Sequence, residues 1–300
     1  MPTIALGGLG LDDPSQHQVL FSDNLLLGRS SIDLERHVGH RAAEGKFYRV
    51  DAGQIAEQYA QVSRMLNLGV PVTVVGAPRA RNLLAVAWFA ATGRAHTDLV
   101  WEVGVGTGGT VRLLSGGASM DWALELWRLF AERQPSELAG HLIGGPLELP
   151  IRELASVYSA HFPSMRGGAV LPSRLDAAIL RSLPTDWATP VQILIRAFAG
   201  SSRLQELVAE VGDNFFARRL RDWARVSASV SFRPAPGRKG SGPIRAGTFR
   251  STATVDLVLA SGLKRADYPR IVIGCASPYE CEEGELESVA RLEQFGATPV

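Results

Sequence analysis

The chain has 300 residues, of which 46% are hydrophobic and 20% charged, and its formal net charge at pH 7 is +1. These proportions are those of a globular protein with little room for long disordered tails, and the length suits two domains of roughly 150 residues each. No apolar run reaches the roughly 18 residues of a membrane-spanning helix, and the N-terminus lacks the basic start of a secretory signal. Two cysteines, Cys275 and Cys281, are too few for a disulfide framework, so we expect a cytoplasmic protein in a reducing compartment.

Segments typical of strands and helices alternate through the first half of the chain. Residues 70–76, VPVTVVG, form the most apolar strand segment and are rich in β-branched residues. The other strand segments are 19–21, 47–50 and 98–103, and the helical segments between them are 54–66 and 79–92. Strands that alternate with helices favour a parallel sheet. We therefore predict an α/β, Rossmann-like domain over residues 1–140, with a mostly parallel sheet and the strand at 70–75 at its centre.

Three glycines follow the last of these strand segments. Gly104, Gly106 and Gly109 match the G-x-G-x-x-G spacing of a dinucleotide-binding loop. Such a loop must open a helix, whose N-terminus holds the pyrophosphate. Here the next residues, TVRLL, are β-branched and short, which favours a second strand. We predict a hairpin turn at 104–109 rather than a phosphate loop, and the sequence identifies no cofactor.

A candidate anion site follows the central strand. Gly76 closes that strand, and Arg79 and Arg81 stand at the start of the next helix. The free N–H groups and the dipole of a helix N-terminus attract anions, and ligands of open α/β sheets bind at the carboxyl ends of strands. We expect these three residues to bind a small anionic ligand. The alternative is an ordinary strand-to-helix connection with solvated arginines.

A second polar group follows the strand at 19–21. Asp23, Asn24 and Arg29 lie in the segment SDNLLLGR, at the same end of the sheet if the strands are parallel. A carboxylate, an amide and a guanidinium group could complete one ligand pocket with the arginines that follow the central strand. The alternative is a turn in which Asp23 and Asn24 bond their own backbone.

One pair of histidines has the spacing of a helix face. His37 and His40, with Asp33 four residues before His37, would lie on one side of a helix, and such side chains can bind metals. Two histidines at this spacing are common by chance, so we expect no metal site. The sequence contains none of the short motifs of serine hydrolases, P-loop proteins or zinc proteases, and it names no catalytic residue.

The second half of the chain is predominantly helical. We place the join in the loop at 134–150 and predict a helical domain over residues 141–300. Its helical segments are 152–162, 173–183, 189–200, 201–212, 213–226 and 254–263, and its strand segments are 229–234 and 248–253. Helices followed by a hairpin with a basic loop and a closing helix predict a winged helix-turn-helix unit over about residues 188–262. Residues 276–300 form an acidic tail with a net charge of −5.

Basic residues concentrate in this unit. Between residues 213 and 250 there are nine basic and two acidic residues, a local net charge of +7. On the helix at 213–226 the apolar Phe216, Leu220 and Trp223 share one face, opposite three arginines. A recognition helix needs such an arrangement, with wing residues reaching neighbouring phosphates. The predicted nucleic-acid-binding residues are Arg218, Arg221, Arg225, Arg238, Lys239 and Arg245.

The whole chain resembles a bacterial family of unknown function with an α/β N-terminal half and a helical, winged-helix-like C-terminal half. The residues that carry the resemblance are FSDNLLLG at 21–28, PLELPIRELASVYSA at 146–160, LPSRLDAAILRSLP at 171–184 and VGDNFFARRLRDWA at 211–224. The resemblance implies the architecture and no reaction.

Three functions are consistent with the sequence. In the first, the C-terminal domain contacts nucleic acid or a partner, and the α/β domain binds a small anionic ligand. In the second, the protein is an enzyme acting on a phosphorylated or nucleotide-like molecule in the N-terminal pocket, with the winged helix as scaffold. The third is a protein-docking module. A cleft with perturbed carboxylates would favour the enzyme, and an exposed basic face would favour binding. The oligomeric state is open.

Overall fold

The computed structural model of the chain forms two compact units. The first comprises Met1–Ser156, Ile273–Ala276 and Arg291–Val300, and the second comprises Val157–Val272 and Ser277–Ala290. The residues that the structure describes are 3–6, 18–21, 24–48, 52–68, 70–92, 99–105, 109–115, 117–132, 134–146, 148–200, 213–235 and 247–297.

The first unit contains a five-stranded sheet. Its strands are β1 (Thr3–Leu6), β2 (Gln18–Phe21), β4 (Val72–Val75), β5 (Leu99–Val105) and β6 (Gly109–Ser115). A short strand, β3 (Gly28–Arg29), lies outside this sheet. The order in the sheet is β2-β1-β4-β5-β6, and all neighbours are parallel except β5 and β6. β4 is the central strand, and Val72 and Val74 are fully buried. The mostly parallel sheet with 70–75 at its centre is confirmed.

β5 and β6 form the predicted hairpin. They pair antiparallel from Val100↔Ser115 to Val105↔Gly109, with a bulge between Trp101 and Glu102. A strand, rather than the helix of a dinucleotide-binding loop, therefore begins at Gly109. Residues 106–108 lie outside the described part of the chain.

Six helices belong wholly or mainly to the first unit: α1 (Leu34–Tyr48), α2 (Ala52–Leu66), α3 (Ala80–Thr92), α4 (Gly117–Glu132), α5 (Pro135–Ile143) and α6 (Glu148–Ser159). α3 buries Ala80 and all of its residues from Asn82 to Phe89. The strand predicted at 47–50 is wrong for its first two residues, because Phe47 and Tyr48 are the last residues of α1, and residues 49–50 lie outside the described part of the chain. A run this short has β propensity too weak to oppose the cooperative extension of a helix already formed.

The loop predicted at 134–150 is also wrong, since α5 and the start of α6 occupy most of it. Pro135 stands at the first position of α5, where its missing N–H costs no helical hydrogen bond. Gly144 ends this helix and donates its N–H to the carbonyl oxygen of Gly140, and the N–H of Gly145 donates to that of Leu142. Gly144, Gly145 and Pro146 therefore lie in a short connection between two helices instead of one long linker.

The second unit is built from short helices and two hairpins. Its elements are β7 (Ser164–Arg166), β8 (Ala169–Leu171), α7 (Arg174–Arg181), α8 (Pro190–Gly200), α9 (Asp213–Val226), β9 (Val230–Pro234), β10 (Gly247–Ser251) and α10 (Val255–Ser261). β9 and β10 pair antiparallel, with Phe232 opposite Phe249. Ala188, just before α8, adds a single antiparallel bridge to Phe249. Residues 201–212, predicted as a helix, and 236–246, the loop of the hairpin, lie outside the described residues.

The acidic C-terminal segment is folded. Ile273–Gly274 forms a short strand, β11, parallel to β3, and a 3-10 turn follows at Pro278–Glu280. The last helix, α11, covers Glu283–Ala297, with Val289 and Leu292 buried. Four of its glutamates therefore lie on a helix with buried apolar residues, namely Glu283, Glu285, Glu287 and Glu293.

Candidate nucleic-acid interface

Two of the three polar residues that follow β2 are described, and Asp23 lies outside the described part of the chain. The side-chain oxygen of Asn24 accepts a hydrogen bond from the backbone N–H two residues on, at 3.2 Å. The buried guanidinium group of Arg41, on α1, donates to the carbonyl oxygen of Asn24 at 2.8 Å and to that of Leu27. This segment is therefore a turn held by α1, while the Arg29 side chain is exposed.

The N-terminus of α3 interacts with a carboxylate group from another helix of the protein. The carboxylate of Glu153, on α6, accepts a hydrogen bond from the N–H of Ala80 at 3.0 Å, and its other oxygen lies 3.4 Å from the Arg79 guanidinium. Arg79 is exposed and Arg81 is half-buried. A Cβ at Gly76 would lie 2.8 Å from the Cβ of a leucine in β1, so glycine there allows the close approach of two strands. The anion at the N-terminus of α3 is therefore the carboxylate of Glu153.

His37 is a core residue. The N–H of Ser31 donates to His37 Nδ1 at 3.3 Å, so Nε2 carries the proton and donates to the Tyr59 hydroxyl at 2.9 Å. Both rings are fully buried and meet at a centroid distance of 5.2 Å. His40 is only half-buried. Among the residues that the structure describes, no three histidine, cysteine or acidic side chains are grouped to hold a metal ion.

α9 separates its apolar and basic residues. Phe216, Leu220 and Trp223 are buried on one side, as the spacing predicts. Arg218 and Arg221 are half-buried, and the Arg225 side chain is 67% exposed. These three arginines are therefore on the accessible side of the helix.

Asp222 lies among these arginines. Its carboxylate is 3.5 Å from the Arg218 guanidinium and 3.7 Å from that of Arg225. Burial raises the pKa of the Asp222 carboxyl above its ordinary value, although the neighbouring arginine charges act in the opposite direction. One acidic group thus partly offsets the basic side of α9.

A neighbouring arginine, Arg219, is buried. It donates from Nε and Nη2 to the two carboxylate oxygens of Asp176, at 2.7 and 2.5 Å, and from Nη1 to a backbone carbonyl at 2.9 Å. The Trp223 indole N–H and the Tyr279 hydroxyl donate to the same carboxylate, at 3.0 and 2.6 Å. Arg219 is one of the nine basic residues counted between residues 213 and 250, although it was not assigned to the basic side of the helix. Its spacing from Phe216, Leu220 and Trp223 was the available signal that it lies on the buried side.

The hairpin also carries exposed arginines. Arg233 on β9 and Arg250 on β10 lie over the ring of Trp187, 4.3 and 4.8 Å from its centroid. Arg221 of α9 lies 5.0 Å from the centroid of Phe232. The sequence singled out none of these aromatic contacts. The predicted wing residues Arg238, Lys239 and Arg245 fall in 236–246, outside the described residues.

A groove of the first unit bears on the enzyme alternative. It has a volume of about 500 Å³ and is lined by Ile32, Leu34, Asn67, Ala91 and Thr92. None of these five side chains ionises, so the lining contributes no carboxylate, imidazole or amine for general acid–base catalysis.

Comparisons of the chain with models of protein families, with curated proteins and with solved structures found no match. In the part of the chain that the structure describes, no helix has both the length and the apolar character needed to span a membrane.

Proposed function

We propose that the second unit is a winged-helix domain that binds nucleic acid through the accessible side of α9, and that the first unit is a Rossmann-like scaffold. The order of elements supports this assignment: α7, the bridge at Ala188, α8, α9, the β9–β10 hairpin and α10. In a winged helix, a short strand after the first helix joins the hairpin, and the recognition helix directly precedes it. Here Ala188 follows α7 and pairs with β10 of the hairpin, and α9 directly precedes β9.

The observation that carries the proposal is the division of α9 into two sides. Its apolar residues are buried, and Arg218, Arg221 and Arg225 remain accessible. Partial burial, followed by the charge of Arg225, lowers the pKa of Arg221, as expected where positive charges crowd together. A polyanion relieves such crowding, and guanidinium groups bind phosphates through several N–H donors at once.

We do not extend the proposal to a small anionic ligand in the first unit. Glu153 already supplies the anion at the first turn of α3.

The test is a salt titration of duplex binding. Fluorescence anisotropy of a labelled 20-base-pair DNA measures affinity from low to moderate salt for the wild type and for the triple variant Arg218→Gln, Arg221→Gln, Arg225→Gln. If about six phosphates are contacted, the wild type loses roughly 10³-fold in affinity over this range. Loss of three contacts reduces the slope of log affinity against log salt by about 2.7.

A second triple variant is the matched control. Arg166→Gln, Arg181→Gln, Arg270→Gln removes three exposed arginines of the same unit outside α9 and the β9–β10 hairpin, and hence the same charge. We expect it to keep the wild-type slope. Equal losses in the two variants would mean a nonspecific charge effect, and a wild type that binds no duplex at low salt would overturn the proposal in favour of a protein-docking module.

A further inference from the structure

The β9–β10 hairpin has two unlike faces. Phe232 and Phe249 are directly opposed, their ring centroids are 4.9 Å apart, and Phe249 is fully buried. Arg221 of α9 lies over Phe232, so α9 is on this side of the hairpin. Successive residues of a strand point to opposite faces, so Arg233 and Arg250 belong to the other face, and both are exposed.

Trp187 completes this second face, which we call the outer face of the hairpin (Trp187, Arg233 and Arg250). The next residue, Ala188, pairs with Phe249 and is buried beside it. Trp187 therefore points to the opposite side, where the two guanidinium groups lie over its half-buried ring at 4.3 and 4.8 Å from the centroid.

The charges of the outer face are not neutralised. Within the described residues, neither Arg233 nor Arg250 forms an ion pair, whereas Arg218 and Arg225 of α9 both lie within 4 Å of Asp222. A guanidinium group that lies over an aromatic ring keeps its N–H donors directed outward in its own plane, where a phosphate can accept two of them.

We propose that the outer face binds single-stranded nucleic acid, as a second surface separate from the side of α9. An unpaired base can extend the stack of the indole and guanidinium groups, and the flanking phosphates bind the N–H donors of Arg233 and Arg250. A duplex presents only phosphates to such a face, because its bases are already stacked and paired. The combination of an aromatic ring with unneutralised arginines therefore favours a strand with free bases.

The experiment compares two ligands and two double variants. Anisotropy of a labelled 20-mer of thymidylate and of a 20-base-pair duplex is measured with the full chain. Arg233→Gln, Arg250→Gln should weaken binding of the single strand about tenfold or more and leave the duplex affinity within a factor of two, since each contact is lost from one surface only. Arg166→Gln, Arg270→Gln is the control for charge and should change neither affinity by more than a factor of two.

Trp187 supplies a direct readout of stacking. Four other tryptophans are fully buried, namely Trp88, Trp101, Trp127 and Trp223. Addition of the thymidylate 20-mer should quench the exposed part of the indole emission, and Trp187→Phe should abolish this change while keeping most of the affinity. Trp187→Leu should reduce the affinity about tenfold, because leucine offers no ring for a base to stack on.

The outcomes separate this proposal from the proposed duplex binding. If the hairpin variant loses both ligands together, the protein has one surface and the outer face is not a separate site. If the single strand does not bind at low salt, or if poly-glutamate competes for it as well as unlabelled thymidylate does, the outer face does not recognise single strands. If duplex binding alone fails, the proposal for α9 falls and this one stands.

Discussion

Asp176 and Arg219 form a two-bond ion pair in the interior of the second unit, and each side chain is 2% exposed. Burial alone would raise the pKa of the Asp176 carboxyl, but the Arg219 charge and the donors around the carboxylate bring it below its ordinary value. Burial and the same carboxylate raise the pKa of Tyr279 well above its ordinary value, so its hydroxyl keeps the proton that it donates. The pair joins α7 to α9 and so fixes the helix that carries the accessible arginines.

Loss of this ion pair should lower the stability of the second unit. Arg219→Met keeps an apolar stem but leaves a buried carboxylate without its cation, and we expect the free energy of unfolding to fall by about 3–5 kcal/mol. Arg225→Met, at the exposed pair with Asp222, should cost less than about 1 kcal/mol. Urea denaturation of both variants measures the difference, and equally small losses would show that the buried pair contributes no more than a surface one.

His161 should make the second unit less stable in mild acid. Burial lowers its pKa from the ordinary 6.5 to about 4, while Nδ1 donates to the Val157 carbonyl at 2.8 Å. Because the unfolded chain takes up the proton more readily, stability is complete above about pH 6.5 and falls as the pH drops toward 4, by up to about 1.4 kcal/mol per pH unit.

Denaturation at intervals between pH 7 and pH 4 measures this slope. His161→Asn keeps an N–H donor near the Val157 carbonyl and does not titrate, so its curve should be flatter than that of the wild type in the same range. A wild type and a variant with parallel curves would mean that another group causes the pH dependence.

Glu153 should stabilise the start of α3. Glu153→Gln removes the negative charge at the helix N-terminus and the attraction to Arg79, and the expected loss is about 0.3–1 kcal/mol at low salt. Hydrogen exchange of the Ala80 N–H should become faster in the variant. High salt should narrow the difference in stability from the wild type, and a difference that salt leaves unchanged would indicate a packing effect instead.

The spacing of apolar residues along the chain predicted the elements whose own apolar side chains are buried. The apolar run of β4 indicated a central strand, and Phe216, Leu220 and Trp223 indicated the buried side of α9. β1, TIAL, was missed because only two of its residues are β-branched, whereas all four residues of β4 are.

The polar contacts depend on residues far apart in the chain. Arg219 is 43 residues from Asp176, and the N–H of Ala80 is 73 residues from Glu153. The helical spacing indicates that Arg219 lies on the buried side of α9, but nothing local identifies the carboxylate that pairs with it. For the same reason, the contact of Trp187 with Arg233 and Arg250 could not be read from a stretch that holds only one of them.

The hydrogen bond from Tyr279 to Asp176 also affects when the second unit can fold during synthesis. A ribosome releases Asp176 first and Arg219 next, but Tyr279 follows Asp176 by 103 residues. The third side-chain partner of the carboxylate therefore becomes available only after 103 further residues have been synthesised. Domains usually fold in the order of synthesis, and here the second unit can complete its interior only after Tyr279 has left the ribosome.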